Sequence, residues 1–285
     1  MLAKILSQRH GFDCTVLFPA GADGVIKPAD HSLLSNPAAL DQADAIIMLL
    51  RFRNWPADTF QKFDAAYQRG VPIIALRTST HAFDISQKDS PWRKWTWNGK
   101  EPGWTGGFGK QVLGETWVNH HGAHKKEGCR GIIEEANKSH EILRGVTDVF
   151  ADSDVYTATA PSDATVLLRG QVTDSLKPDS KPVAGRKNNP MQPIFWTRER
   201  ANESGKVNRI VTTTMGAATD LQSEDLRRML LNSVFWGLKL EVPARADVTY
   251  VDPYSPSMYG FGTERKNFKV VELDLGKPLP PPASR

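Results

Sequence analysis

Pro72-Ile-Ile-Ala-Leu76, followed at once by Arg77-Thr-Ser-Thr-His81, decides how this chain folds. The first five residues form a short, continuous apolar run bounded by a turn, the pattern of a strand covered on both faces in a parallel sheet. Upstream, Ala45-Ile-Ile-Met-Leu-Leu50 is a second run of the same kind. Between the two, Pro56 suits the first position of a helix, and Phe60, Phe63 and Tyr67 repeat at helical spacing. Gly70 suits the end of that helix. A strand, a helix and a second strand in this order imply a parallel pair joined by a right-handed crossover, and hence an α/β domain.

Working outward toward the N-terminus, Met1 to Arg9 reads as an amphipathic helix with Leu2, Ile5 and Leu6 on one face. Gly11 is placed to cap it, and Cys14 to Phe18 reads as a short buried strand. A parallel α/β domain ordinarily opens with a strand, and none precedes this helix, so the chain as given reads as lacking its first strand. No basic segment followed by an apolar one marks a signal peptide. With such a start the cellular location stays undetermined.

Toward the C-terminus, short strands are expected at Gly131 to Ile133, Tyr156 to Ala158, Thr165 to Leu168, Pro193 to Thr197 and Arg209 to Thr214. The polar stretch from Gln171 to Pro190 reads as a surface hairpin or loop. A strong helix is expected from about Leu221 to Leu238, with Thr219 and Gln222 as its capping box. Residues 1–242 then form one domain and 243–285 an irregular extension, disordered from Pro278 onward.

Composition narrows the function classes. Apolar residues make up 40% and charged residues 24% of the 285, an ordinary globular balance. The net charge of +4 is spread along the chain, with no zinc-finger spacing, aromatic RNA-binding motif or basic helix to suggest nucleic acid. The longest apolar run is far too short to span a bilayer, so no membrane partner is expected. Two cysteines, Cys14 and Cys129, are too few for a disulfide framework, although one bridge between them stays open.

Ligands in open parallel sheets bind beyond the carboxyl ends of the strands. Arg51, Phe52 and Arg53 follow the first apolar run, and Arg77 to His81 follow the second. Four of the seven histidines, His81, His120, His121 and His124, fall on segments that such a sheet would bring together. Histidine suits acid–base work near neutral pH, and it also ligates metals. With Glu115 nearby, a divalent metal is therefore a second option beside acid–base chemistry, and plain loop histidines are a third. Trp92, Trp95, Trp97 and Trp104 crowd one long loop. It reads either as a hydrophobic flap packed on its own domain or as a platform for sugar rings.

At the turn after Leu76 the chain resembles a known family. Class I glutamine amidotransferase-like domains carry a cysteine at the strained apex of this elbow, where this chain has Arg77. The His-containing turn Arg77-Thr-Ser-Thr-His-Ala-Phe83 is similar to that of ThuA-like (trehalose-utilisation) proteins, a branch lacking the cysteine. Gly106-Gly-Phe108, Asn119-His-His-Gly-Ala-His124, Ser139-His-Glu-Ile-Leu-Arg-Gly145 and Asp154-Val-Tyr156 resemble further motifs of that family in the same order. So do Pro193 to Trp196 and Arg209 to Gly216, except that Ala217 stands where the family has a histidine.

The resemblance implies a flavodoxin-like, amidotransferase-like parallel sheet flanked by helices. It also implies a small-molecule carbohydrate as the partner, a sugar or keto-sugar, in trehalose-type catabolism. Amidotransfer is excluded on chemical grounds, because a guanidinium stays protonated and cannot attack a carbonyl. The residues expected to act on substrate are His81, His120, His121 and Arg77. Arg51, Arg53, Glu115, Trp117, His124 and Tyr156 are expected to bind it. Arg77 has two readings, polarising an oxygen or merely pinning the turn. A non-catalytic sugar-binding module and a metal-dependent hydrolase are the alternatives, and homo-oligomer formation is left open.

Overall fold

A computed structural model gives the architecture and describes residues 1–260 and 262–278. A seven-stranded sheet with order β1-β2-β7-β6-β5-β3-β4 is flanked by helices, an α/β fold. The strands are β1 (Ile46–Met48), β2 (Ile73–Leu76), β3 (Gly128–Ile133), β4 (Val149–Ala151), β5 (Thr165–Thr173), β6 (Gln192–Ala201) and β7 (Val207–Thr213). The helices are α1 (Leu2–His10), α2 (Ala57–Gln68) and α3 (Glu224–Gly237). The strand–helix–strand unit is present as expected, with β1 parallel to β2. β2 is in turn parallel to β7.

Beyond β7 every pairing is antiparallel: β7 with β6, β6 with β5, β5 with β3 and β3 with β4. The parallel part is thus three strands, extended by four that turn back on one another. A five-residue turn over 202–206 makes the β6–β7 hairpin. There Asn202 Oδ1 accepts from Ser204 N and Lys206 N, and Gly205 takes a φ of 76°. Following these pairings across the sheet, β1, β2, β7, β5 and β4 run one way, and β6 and β3 the other. The carboxyl ends of β1, β2, β7 and β4 therefore open on the same edge, and the segment leading into β3 arrives there too.

Alternate residues of β2 feed two cores, one on each face of the sheet. Ile74 and Leu76 join Leu226, Met229, Leu230 and Val234 of α3. Ile73 and Ala75 join Phe60, Phe63 and Tyr67 of α2, as their spacing requires. Trp95, Phe83 and Phe108 close this second core, with Phe83 stacked on Trp95 at 5.8 Å.

Several local expectations change. Cys14 to Phe18 is not a sheet strand; it runs half-exposed, tied by Phe18 N donating to Ser35 Oγ. β1 is an edge strand rather than a doubly covered one, since Ile47 and Leu49 are exposed. Tyr156 to Ala158 forms only a single bridge to His120. β4, three residues long, escaped notice because so short a run has no measurable period. The cap of α3 is Ser223, whose side chain accepts from Leu226 N, while Thr219–Gln222 forms a 3-10 turn before it. Cys14 and Cys129 are both free thiols. Beyond Val242 the chain follows an irregular path that buries Ala246 and Val248, and the rest of the stretch expected to be disordered after Pro278 lies outside the described residues. Among the described residues no helix is long and apolar enough to cross a membrane.

Candidate functional site

The shared sheet edge carries a buried charge cluster with an aromatic wall. At the end of β2 the chain turns abruptly at Arg77, whose φ of 38° lies in the left-handed region that non-glycine residues avoid. The elbow geometry is therefore present with a guanidinium at its apex. Gly109 lets the following layer close on it, since a Cβ there would lie 1.9 Å from Thr80 O.

Arg77 is turned inward. Its Nη1 donates to Asp154 O at 3.0 Å and to Thr214 O at 2.9 Å, and its Nη2 donates to Asp154 Oδ1 at 2.9 Å. The guanidinium lies over the Tyr156 ring, 4.3 Å from its centroid. Burial disfavours the charge, but Tyr156, Asp220 and Asp154 outweigh it and hold Arg77 protonated. With its donors on these partners Arg77 pins the turn, which is the second of its two readings.

Asp154 follows β4 and is the hub. Besides Arg77 it accepts from His120 Nδ1 at 2.6 Å and from His124 Nδ1 at 2.8 Å. Burial works against its ionisation, yet Arg77 and the two imidazoles hold the carboxyl below the ordinary carboxylate range. An ionised carboxylate only accepts, so both Nδ1 atoms donate to it, and both Nε2 atoms lie on the ring edges away from it. The Asp154 side chain is 0% exposed, whereas those of His120 and His124 are 38% and 42% exposed. The reactive edges of the imidazoles thus open outward from a buried anion. Gly122 makes this approach close, since a Cβ there would lie 3.2 Å from the Asp154 Cβ.

His81 has a different character. Thr80 Oγ1 donates its one hydrogen to Arg77 O, so it must accept from His81 Nδ1, 3.2 Å away. Burial, with Arg51, Arg77 and His120 nearby, pulls the His81 pKa down to about 3. A ring so disfavoured as a cation is a weak proton acceptor, which favours His120 over His81 for proton transfer. Its Nε2 is left as a hydrogen-bond acceptor.

Around these groups stands the aromatic wall. His81 lies 5.0 Å from Phe52 and 5.8 Å from Trp117 between ring centroids, and Trp117 lies 5.8 Å from His120. Trp97 meets both Phe52 and Trp117. Of the four tryptophans in the long loop, Trp97 alone reaches this wall; Trp95 is buried and Trp92 stacks on Phe60. The flap reading holds for most of that loop.

The structure brings together His81, His120, His124, Arg77, Arg51, Trp117 and Tyr156. It separates the others. His121 Nε2 meets Lys187 O at 2.8 Å. Glu115 is buried, accepting from Lys110 Nζ, Thr116 N and Thr159 N. Arg53 donates to Arg51 O, Asp30 O and Pro28 O, and so secures a loop rather than a ligand. Asp154, Phe52 and Trp97 were missing from the expected set. Asp154 stood within the quoted Asp154-Val-Tyr156 motif, and an acid followed by apolar residues at a strand end was its only signal. His120, His124 and Asp154 also offer ligand atoms within 4.8 Å of one another, so they are the residues that could hold a cation. Asp154, already occupied by Arg77 and two Nδ1–H groups, fits the outer shell of such an ion better than the inner one.

No protein-family model matches the chain, and no curated protein matches it. Two solved structures are similar over most of its length. One, described as a ThuA-like protein from Parabacteroides merdae ATCC 43184, is 14% identical, with 88% of this chain and 86% of that chain covered and a TM-score of 0.48. The other, described likewise and from Bacteroides uniformis ATCC 8492, is 15% identical, with 82% and 80% covered and a TM-score of 0.46.

Proposed function

We propose that this is a carbohydrate-active, ThuA-like protein on an amidotransferase-like scaffold, acting on a sugar or keto-sugar of the trehalose type by histidine acid–base chemistry. The observation that carries the reading is the 2.6 Å contact between His120 Nδ1 and the buried Asp154 carboxylate. A carboxylate behind an imidazole fixes its tautomer, raises the basicity of its outer nitrogen and stabilises the cation that forms when a proton is taken up. The wall of Phe52, Trp97 and Trp117 suits the apolar face of a sugar ring, and the Nε2 atoms of His81 and His124 suit its hydroxyls.

In this reading His120 Nε2 takes a proton from the carbon beside a substrate carbonyl. The electron pair moves onto the carbonyl oxygen, where the positive field of Arg51 and Arg77 lowers its energy. Return of the proton to the same carbon gives exchange. Where that carbon bears a hydroxyl, passage of the hydroxyl proton to the former carbonyl oxygen lets the carbon proton go to the neighbouring carbon and gives isomerisation. Expulsion of a β-alkoxy group, which takes the proton held by His120, gives cleavage.

The test is proton NMR of the protein with trehalose, other disaccharides and their 3-keto derivatives in deuterium oxide. Exchange beside the carbonyl or bond cleavage, lost in His120→Ala, is the expected result. Ligand signals that broaden with no conversion would replace this reading with a sugar-binding module.

A further inference from the structure

Tyr156 stands directly across from His120. The two form an antiparallel bridge, and backbone hydrogen bonds secure it on both sides. His121 N and Gly122 N donate to Val155 O, and Thr157 N donates to Asn119 O. Residues opposed in this way present their side chains to the same face. The rings accordingly meet edge to face, 5.5 Å apart between centroids and at 77°. The backbone thus sets an imidazole base and a phenol side by side.

The phenol is held by its ring and not by its hydroxyl. Tyr156 is only 5% exposed, and the Arg77 guanidinium covers one face of the ring at 4.3 Å from its centroid. The hydroxyl makes no hydrogen bond among the described residues, yet it is not one of the fully buried polar atoms that lack a partner. The small part of Tyr156 that meets solvent therefore includes its hydroxyl. Buried tyrosine hydroxyls ordinarily find a partner in the protein, and one that opens instead beside the exposed edge of His120 is placed to meet a ligand.

The neighbouring groups are committed. Arg77 donates to Asp154 O, Thr214 O and Asp154 Oδ1, and Thr80 Oγ1 donates to Arg77 O. A guanidinium does not release a proton in any case. His124 lies 4.5 Å from His120 between ring centroids, so a charge gained by one imidazole opposes a charge on the other. Among these groups the phenol is the one that can give a proton to an oxygen and take another back.

We propose that Tyr156 carries a proton between the two oxygens of an α-hydroxy ketone, and that the cleft isomerises such sugars by moving the carbonyl to the adjacent carbon. This deepens the acid–base reading of His120 and rests on it. His120 Nε2 takes the proton of the hydroxylated carbon, and the C–H electron pair forms a carbon–carbon double bond. The carbonyl pair moves to its oxygen, which takes the Tyr156 hydroxyl proton. The result is an enediol, an imidazolium and a phenolate, the last favoured by the charge of Arg77 against its ring. The phenolate then takes the proton of the neighbouring hydroxyl, whose oxygen becomes the new carbonyl. The double-bond pair takes the His120 proton at the former carbonyl carbon. Both side chains end as they began, and no outside oxidant or reductant is needed.

The test follows the 3-keto derivative of trehalose, whose carbonyl has a hydroxylated carbon on each side, by proton NMR in deuterium oxide with the full chain. Isomer formation and exchange beside the carbonyl are read from the same sample. Tyr156→Phe should lower isomer formation by about a hundredfold relative to exchange, the scale of one acid–base group, because a proton can still return to the carbon it left. His120→Gln should stop both. The urea midpoint of Tyr156→Phe should stay near that of the unaltered protein; a marked fall would show that the hydroxyl serves the fold, against the proposal. An unchanged ratio of isomer formation to exchange in Tyr156→Phe would overturn the relay. Exchange or cleavage by the unaltered protein without isomer would also overturn it and leave the carbohydrate reading standing, whereas no conversion of any kind would end both.

Discussion

Arg77 Nη2 lies 2.9 Å from Asp154 Oδ1, and the two side chains are 7% and 0% exposed, so each is the other's direct ion-pair partner inside the protein. A buried pair of this kind adds little net stability while intact, but removing one partner strands the other. Asp154→Ala is expected to cost about 3–5 kcal/mol in urea unfolding. A loss below about 1 kcal/mol would mean that Arg77 has another way to be neutralised.

The half-exposed position of His120 separates its chemistry from folding. His120→Gln should lower turnover of a keto-sugar by about a hundredfold to ten-thousandfold, the usual contribution of a general acid or base. Its urea midpoint should stay near that of the unaltered protein, because the side chain is 38% exposed. His121→Gln, whose ring is turned to Lys187 O, should retain most of the turnover. If the two variants lose activity equally, the dyad is not the acid–base centre.

Asp152 gives a pH dependence with a definite sign. Burial, aided by a shared hydrogen bond to Asp220, pushes its pKa from 3.8 up to about 6, against the effect of Thr219. The folded protein thus keeps a proton that the unfolded chain releases in that interval. This group's contribution to stability is full below pH 3.8 and declines as pH rises toward 6. Asp152→Asn should remove that slope and raise stability at pH 7 by on the order of 1 kcal/mol, reduced from the full linkage value for partial solvent screening. Equilibrium unfolding at pH 4.5 and 7, compared between the two proteins, measures it; a variant that is less stable at pH 7 would reverse the sign.

Metal should compete with the proposed chemistry rather than drive it. Chelator treatment is expected to leave keto-sugar turnover intact. Added Zn²⁺ should lower it by occupying the outer nitrogens of His120 and His124, the base and hydroxyl acceptor of the proposed chemistry. Turnover abolished by chelator and restored by Zn²⁺ would select the hydrolase alternative instead.

The fold was legible where residue chemistry is local. Phe60, Phe63 and Tyr67 announced the buried face of α2, and Pro72 to Leu76 announced β2, because burial leaves a period or an apolar run in the sequence. Strand direction left no such mark. The sequence of β5 or β6 does not say whether its neighbour runs parallel, so the antiparallel half of the sheet emerged only from the pairings. The site divides along the same line. That His81, His120 and His124 approach one another follows from strand ends sharing an edge. That His121 turns away while its two companions share one carboxylate depends on the torsions of a loop containing Gly122, which residue type alone does not set.

The cation at the elbow also shapes what this protein can become. Exchanging Arg77 for cysteine would put a thiol at the apex, but it would leave Asp154 buried with two imidazoles and no permanent counter-charge. That intermediate would fold poorly before it gained any thioester chemistry. With this arginine and aspartate in place, a thiol nucleophile can be installed at the elbow only by changing both positions together, so the pair works as a lock on the chemistry of the turn.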